Sequence, residues 1–163
     1  MIQLFTELQE KKNVRSNLSA LRASLKEATE EQKAQAIEFV RGHEDLVFGF
    51  LQEEDAKTRK NAALLLGDLA VQNALQPLWK AYTREQTLFV KSAYLEAMKA
   101  LHAEEILSQL KDRLAELEGE PVTEENRKHR EAELRALRAI LIQYEGIDTH
   151  HFDIKQQSAR AHG

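Results

Sequence analysis

The sequence predicts an all-α fold, a short α-α superhelix of about four helical hairpins closed by a longer last helix. Three observations predict it. Alanine (21), leucine (23), glutamate (21) and lysine plus arginine (23) make up more than half of the 163 residues, and only two prolines and six glycines interrupt them. These are the side chains that lose least entropy in a helix, and strand formers are too thin for a sheet of any size. Helix-start signals recur at short intervals, and a central segment recurs 32 residues further on.

The starts can be read one by one. Thr29 precedes Glu30, Glu31 and Gln32, an arrangement in which the Thr hydroxyl and the Gln amide satisfy each other's orphan backbone N–H groups. Thr83 with Gln86 repeats that signal, and Thr123, after Pro121, precedes Glu124, Glu125 and Asn126. Asp55 follows the apolar run Val47 to Leu51 and is a further N-cap. Apolar periodicity between these marks gives nine helices, over 2–10, 13–28, 30–41, 43–52, 56–70, 73–82, 85–101, 104–118 and 124–145. Connections this short make successive helices antiparallel neighbours. Residues 1–146 read as one helical repeat domain, and 147–163 as a C-terminal tail or linker.

At the 32-residue offset Arg59 matches Lys91, Leu66 matches Met98, and Leu69 matches Leu101. A second echo links 18–25 with 134–141. A period of this size means one helical hairpin per unit, none able to bury its apolar face alone. The run from Asp55 through Arg59, Ala62, Ala63, Leu64, Leu65, Leu66 and Gly67 to Leu69 resembles the first helix of a HEAT repeat. Its mechanics follow from the residue types. Asp55 caps the helix and stands four residues before Arg59, so the two are expected to pair. Ala62 and Ala63 let neighbouring helices approach, and Gly67 avoids a clash where the hairpin crosses.

A longer resemblance runs from 55–69 through Leu75 to Tyr82 and Thr87 to Leu95, and returns near the end from Leu134 to Tyr144 and on to Phe152. In that order the segments resemble the helical N-terminal region of bacterial RNA methyltransferases. The resemblance implies an accessory domain that binds substrate or partner beside an S-adenosylmethionine-dependent catalytic domain. That catalytic domain is not expected within these residues. The glycines, at 42, 49, 67, 119, 146 and 163, form no Gly-rich strand-to-helix turn to cradle a cofactor.

Other chemistries are equally thin. The chain has no cysteine, which removes disulfides, thiolate zinc sites and cysteine nucleophiles. No Glu-x-x-His unit appears among the six histidines; Glu125 and His129 share a helix face, and His150–His151 is an adjacent pair in the tail. No serine stands in a nucleophile elbow. The paired glutamates at 30–31, 53–54, 104–105 and 124–125 stand at helix starts, where they complement the macrodipole. The expectation is a chain with no catalytic residues, no cofactor and no metal. No apolar run approaches the roughly 18 residues of a membrane span, and the N-terminus lacks a signal-peptide pattern. A cytoplasmic protein without membrane contact is expected.

The net charge of −4 argues against a dedicated nucleic-acid module, so any basic surface must be local. Lys57, Arg59, Lys60, Lys80, Arg84, Lys91 and Lys99 give the middle of the chain a local basic excess with Trp79 and Tyr82 between them as stacking rings, and Lys80, Arg84, Lys91 and Lys99 are the candidate RNA or partner contacts. Against this, Arg59 and Lys91 occupy equivalent repeat positions suited to a structural ladder, and Trp79 and Tyr82 lie on an apolar stripe. A protein partner or a neighbouring catalytic domain therefore stands beside RNA as the expected ligand, with a free-standing protein-binding scaffold as the alternative.

Overall fold

The computed structural model describes residues 1–145; the expected tail at 147–163, with His150 and His151, lies outside the described residues. Nine α-helices and no strand occur among the described residues. They are α1 (Ile2–Gln9), α2 (Val14–Leu25), α3 (Glu30–Gly42), α4 (Glu44–Gly49), α5 (Ala56–Asp68), α6 (Leu75–Arg84), α7 (Leu88–Lys99), α8 (Leu107–Gly119) and α9 (Arg127–Glu145). Single 3-10 turns at Phe50–Gln52, Gln72–Ala74 and Glu104–Ile106 lie against the ends of α4, α6 and α8. No helix among the described residues is long and apolar enough to cross a membrane.

The helix starts follow side-chain chemistry. The Thr29 hydroxyl accepts the Gln32 N–H at 3.1 Å while the Gln32 side chain accepts the Thr29 N–H at 3.0 Å. Thr123 and Asn126 exchange the same pair of bonds at 2.8 and 3.1 Å, one turn ahead of α9. Asp55 caps α5 by accepting the Thr58 N–H at 2.9 Å. The expected start at Thr83 is displaced. Thr83 lies inside α6, its hydroxyl donating to the Lys80 carbonyl, and α7 begins only after Thr87.

The described residues fall into two compact units, Met1–Leu101 and a second that begins at His102. In the first, α5 packs against both α2 and α7, while α1 lies on α2 and α6 on α7. Arg15, at the start of α2, reaches Asp55 at the start of α5 (3.5 Å), and Arg22 near the end of α2 reaches Asp68 at the end of α5 (2.8 Å). Pairing start with start and end with end sets α2 and α5 side by side and parallel. Ala62 and Ala63 are wholly buried. A Cβ built on Gly67 would lie 2.9 Å from the Ala97 Cα, so α5 and α7 touch there backbone to backbone.

Phe5 of α1 stacks on Phe39 of α3 with centroids 4.5 Å apart, and Phe39 stacks on His43. In the second unit, Leu110, Leu114 and Leu117 of α8 and Leu134, Leu137 and Leu141 of α9 supply the buried apolar side chains. Arg130 donates to the carbonyls of Leu117 and Glu118, closing the end of α8.

Candidate functional site

In the Met1–Leu101 unit the final turn of α6 delivers Glu85 into extended backbone, and the chain bends at once into α7. The bend places the Glu85 carboxylate at the positive end of α7, where it accepts the Thr87 N–H at 3.1 Å. The Arg59 guanidinium meets it from α5 through Nε and Nη2 at 3.0 and 2.8 Å. This planar fork-to-fork pairing is the strong form of a charged hydrogen bond. The Tyr94 hydroxyl donates to the same carboxylate at 2.9 Å, and Arg59 Nη1 donates to the carbonyls of Glu53 and Glu54 at 2.8 Å each.

This corrects the expected partner of Arg59. Asp55 is committed to Thr58, whose N–H and hydroxyl it accepts, and to Arg15 of α2. Arg59 turns instead to Glu85, 26 residues along the chain. The ion pair is well shielded, with side-chain exposures of 16% and 5%. Burial raises the Glu85 pKa, but the bonds from Arg59, Thr87 and Tyr94 outweigh it and leave the carboxyl below its ordinary value. Burial and the bond to Glu85 push the Tyr94 phenol well up. A carboxylate held below its ordinary value is a weaker proton acceptor than a free one, and a phenol pushed up a weaker donor. The cluster holds geometry.

Above it opens a cleft of about 810 Å³, within the roughly 300–1,000 Å³ range of ligand sites. Arg59, Glu85 and Tyr94 form its floor. One wall is a face of α6, with Gln76, Lys80 and Arg84 in one row and Pro77 and Ala81 in the next. The spacing of four residues puts each row on one side of the helix. The other wall is the last turn of α4 and the stretch after it, with the less exposed Phe48 and Leu51 and the exposed Glu53 and Glu54. Lys80, Arg84, Glu53 and Glu54 are all exposed, and no side-chain ion pair engages them among the described residues.

The structure therefore brings together two of the four cations singled out from sequence, Lys80 and Arg84. Lys91 and Lys99 do not line the cleft. The Lys91 ammonium lies 5.4 Å from the centre of the Tyr82 ring, and Lys99 is exposed on the last turn of α7. The offset that equates Arg59 with Lys91 thus joins two side chains with different roles. Tyr82 is buried, Trp79 half-buried against it with centroids 5.3 Å apart, and neither ring faces the cleft.

Sequence reasoning missed Glu85 and Tyr94. Glu85 falls inside the expected helix 85–101, and the usable signal was its place two residues before Thr87, the real N-cap. Among the described residues, no group of three or more His, Asp or Glu side chains is placed to hold a metal ion. Comparisons of the chain with family models, with curated proteins and with solved structures find no match.

Proposed function

We propose that the chain is a non-catalytic interaction module of HEAT-like helical hairpins, working in the cytoplasm, whose ligand is a protein held in the cleft of the Met1–Leu101 unit. One observation carries the reading: the polar atoms of the floor are engaged with one another, while exposed charges of both signs, Lys80 and Arg84 from α6 and Glu53 and Glu54 from the stretch after α4, line the same cleft. The parallel setting of α2 and α5, with α7 on the other side of α5, supports stacked hairpins as the architecture.

The second reading is an RNA-binding accessory domain of an S-adenosylmethionine-dependent methyltransferase, and Lys80 and Arg84 on one wall favour it. Glu53 and Glu54 oppose it, because a phosphate backbone following the cations would run beside two carboxylates. The test is a titration with tRNA and ribosomal RNA fragments at low ionic strength. The protein-binding reading expects weak binding that is indifferent to the double substitution Lys80→Glu/Arg84→Glu. Tight binding that falls steeply with salt and is lost on that substitution would establish the RNA reading instead.

A further inference from the structure

The geometry points to a defined ligand chemistry for this cleft: a polypeptide segment that sets two carboxylates against Lys80 and Arg84 and inserts a large apolar side chain between them and a cation facing Glu53 and Glu54. The inference rests on the protein-binding reading above and narrows it to one site and one sequence pattern.

The basic row fixes the spacing. Lys80 and Arg84 are four residues apart on α6, which separates their Cα atoms by about 6 Å along the helix axis. A ligand helix with acids at i and i+4 has the same rise, and laid along α6 it presents one carboxylate to each cation. Arg84 takes its carboxylate through a planar fork, while Lys80 acts as a mobile point charge. The apolar patches of the two walls fix the residue between. Pro77 and Ala81 are half-buried, Phe48 is half-buried and Leu51 is buried, so this surface is small, apolar and still partly wet. One leucine- or phenylalanine-sized side chain covers it.

The other wall fixes the third element. Glu53 and Glu54 have their backbone carbonyls taken by Arg59, but their carboxylates point to no cation among the described residues. A lysine or arginine on the far side of the ligand segment neutralises them. Nucleic acid meets none of these three demands together: it brings phosphates to both rims, and the rings suited to stacking, Trp79 and Tyr82, do not line the cleft.

The test uses the full 163-residue chain and a random dodecapeptide display library. Enriched peptides are expected to share a large apolar residue flanked by two acids and one base. A synthetic peptide of that consensus should lose at least tenfold in affinity for Lys80→Glu/Arg84→Glu and be unchanged for the control Lys26→Glu. The same peptide with its two acids replaced by lysines should recover binding to the reversed chain, an outcome that mere damage to the fold cannot produce. Peptides that bind the reversed chain equally well would overturn the cleft assignment and leave a protein-binding module with its site elsewhere. No enriched consensus would overturn the assignment too, and salt-sensitive RNA binding would then replace the protein-binding reading itself.

Discussion

Arg59 and Glu85, 26 residues apart in sequence, meet through two near-parallel hydrogen bonds of 3.0 and 2.8 Å. Around that pair gather the Tyr94 hydroxyl, the Thr87 N–H and the carbonyls of Glu53 and Glu54. One ion pair therefore joins α5, the α6–α7 bend, α7 and the segment that follows α4. Arg59, Glu85 and Tyr94 themselves line the cleft, so the pin holds its floor together.

The pin makes stability depend on pH in a stated direction. The folded Glu85 carboxyl lies below its ordinary value, so its contribution is complete above the unfolded pKa of about 4.3 and is lost as pH falls through the folded one. Asp55, also lowered, through the bonds from Thr58, has the same sign. Chemical denaturation from pH 6 down to pH 3 should show a decline that is shallower in Glu85→Gln, since Asp55 remains in both chains. Parallel curves would mean that Glu85 is not held anionic in the fold.

Glycine positions should separate cleanly by what surrounds them. At Gly67 an added methyl meets the Ala97 Cα at 2.9 Å, its Cβ at 3.2 Å and its carbonyl oxygen at 3.3 Å, and backbone cannot swing aside. Gly67→Ala should destabilise by about 1–3 kcal/mol. Gly49 has right-handed helical backbone and nothing within 4 Å of an added Cβ. Gly49→Ala should stabilise by about 0.5–1 kcal/mol. Urea midpoints of the two variants check both signs, and a neutral Gly67→Ala would remove the close contact between α5 and α7.

The end of α5 offers a stabilising change that the sequence hides. The Val71 N–H bonds to the Leu66 carbonyl and the Ala70 N–H to that of Gly67, both at 3.0 Å, which is the Schellman arrangement. Its left-handed position is occupied by Ala70, at φ 51°, where a glycine is the usual residue. Ala70→Gly should therefore raise stability by about 1 kcal/mol, the cost of left-handed backbone for an L-residue being of that order. A loss in thermal midpoint would show that the alanine methyl is worth more in packing than the backbone strain costs.

That position also explains part of what was legible beforehand. Nine helices and their order follow from caps and periodicity, because Thr29, Asp55 and Thr123 signal locally and act locally. The expected helix 56–70 overran α5 by two residues because its stop carries no glycine. The expected helix 85–101 started three residues early because Glu85 is a good helix former whose role is decided by Arg59, far away in sequence. The cations at 80 and 84 were readable as a pair from spacing alone. That they line the same cleft as Glu53 and Glu54 depends on tertiary packing, which no local pattern encodes.

Two shielded ion pairs among the described residues should differ in what they cost to break. Arg113 of α8 bonds to Glu133 of α9 at 2.9 Å, and side-chain exposures of 20% and 6% resemble those of Arg59 and Glu85. The surroundings differ. Arg113 also reaches Glu116 at 3.0 Å and Glu120 at 3.6 Å, so its charge stays compensated when Glu133 is neutralised. Among the described residues Arg59 has a single carboxylate partner, and its remaining bonds go to uncharged carbonyls. Glu85→Gln leaves a shielded guanidinium without a counter-charge, which should cost about 3 kcal/mol. Glu133→Gln removes one member of a network and should cost about 1 kcal/mol. Helical circular dichroism followed through urea unfolding measures both. Equal losses, or a larger loss at Glu133, would show that Glu116 and Glu120 do not share the Arg113 charge.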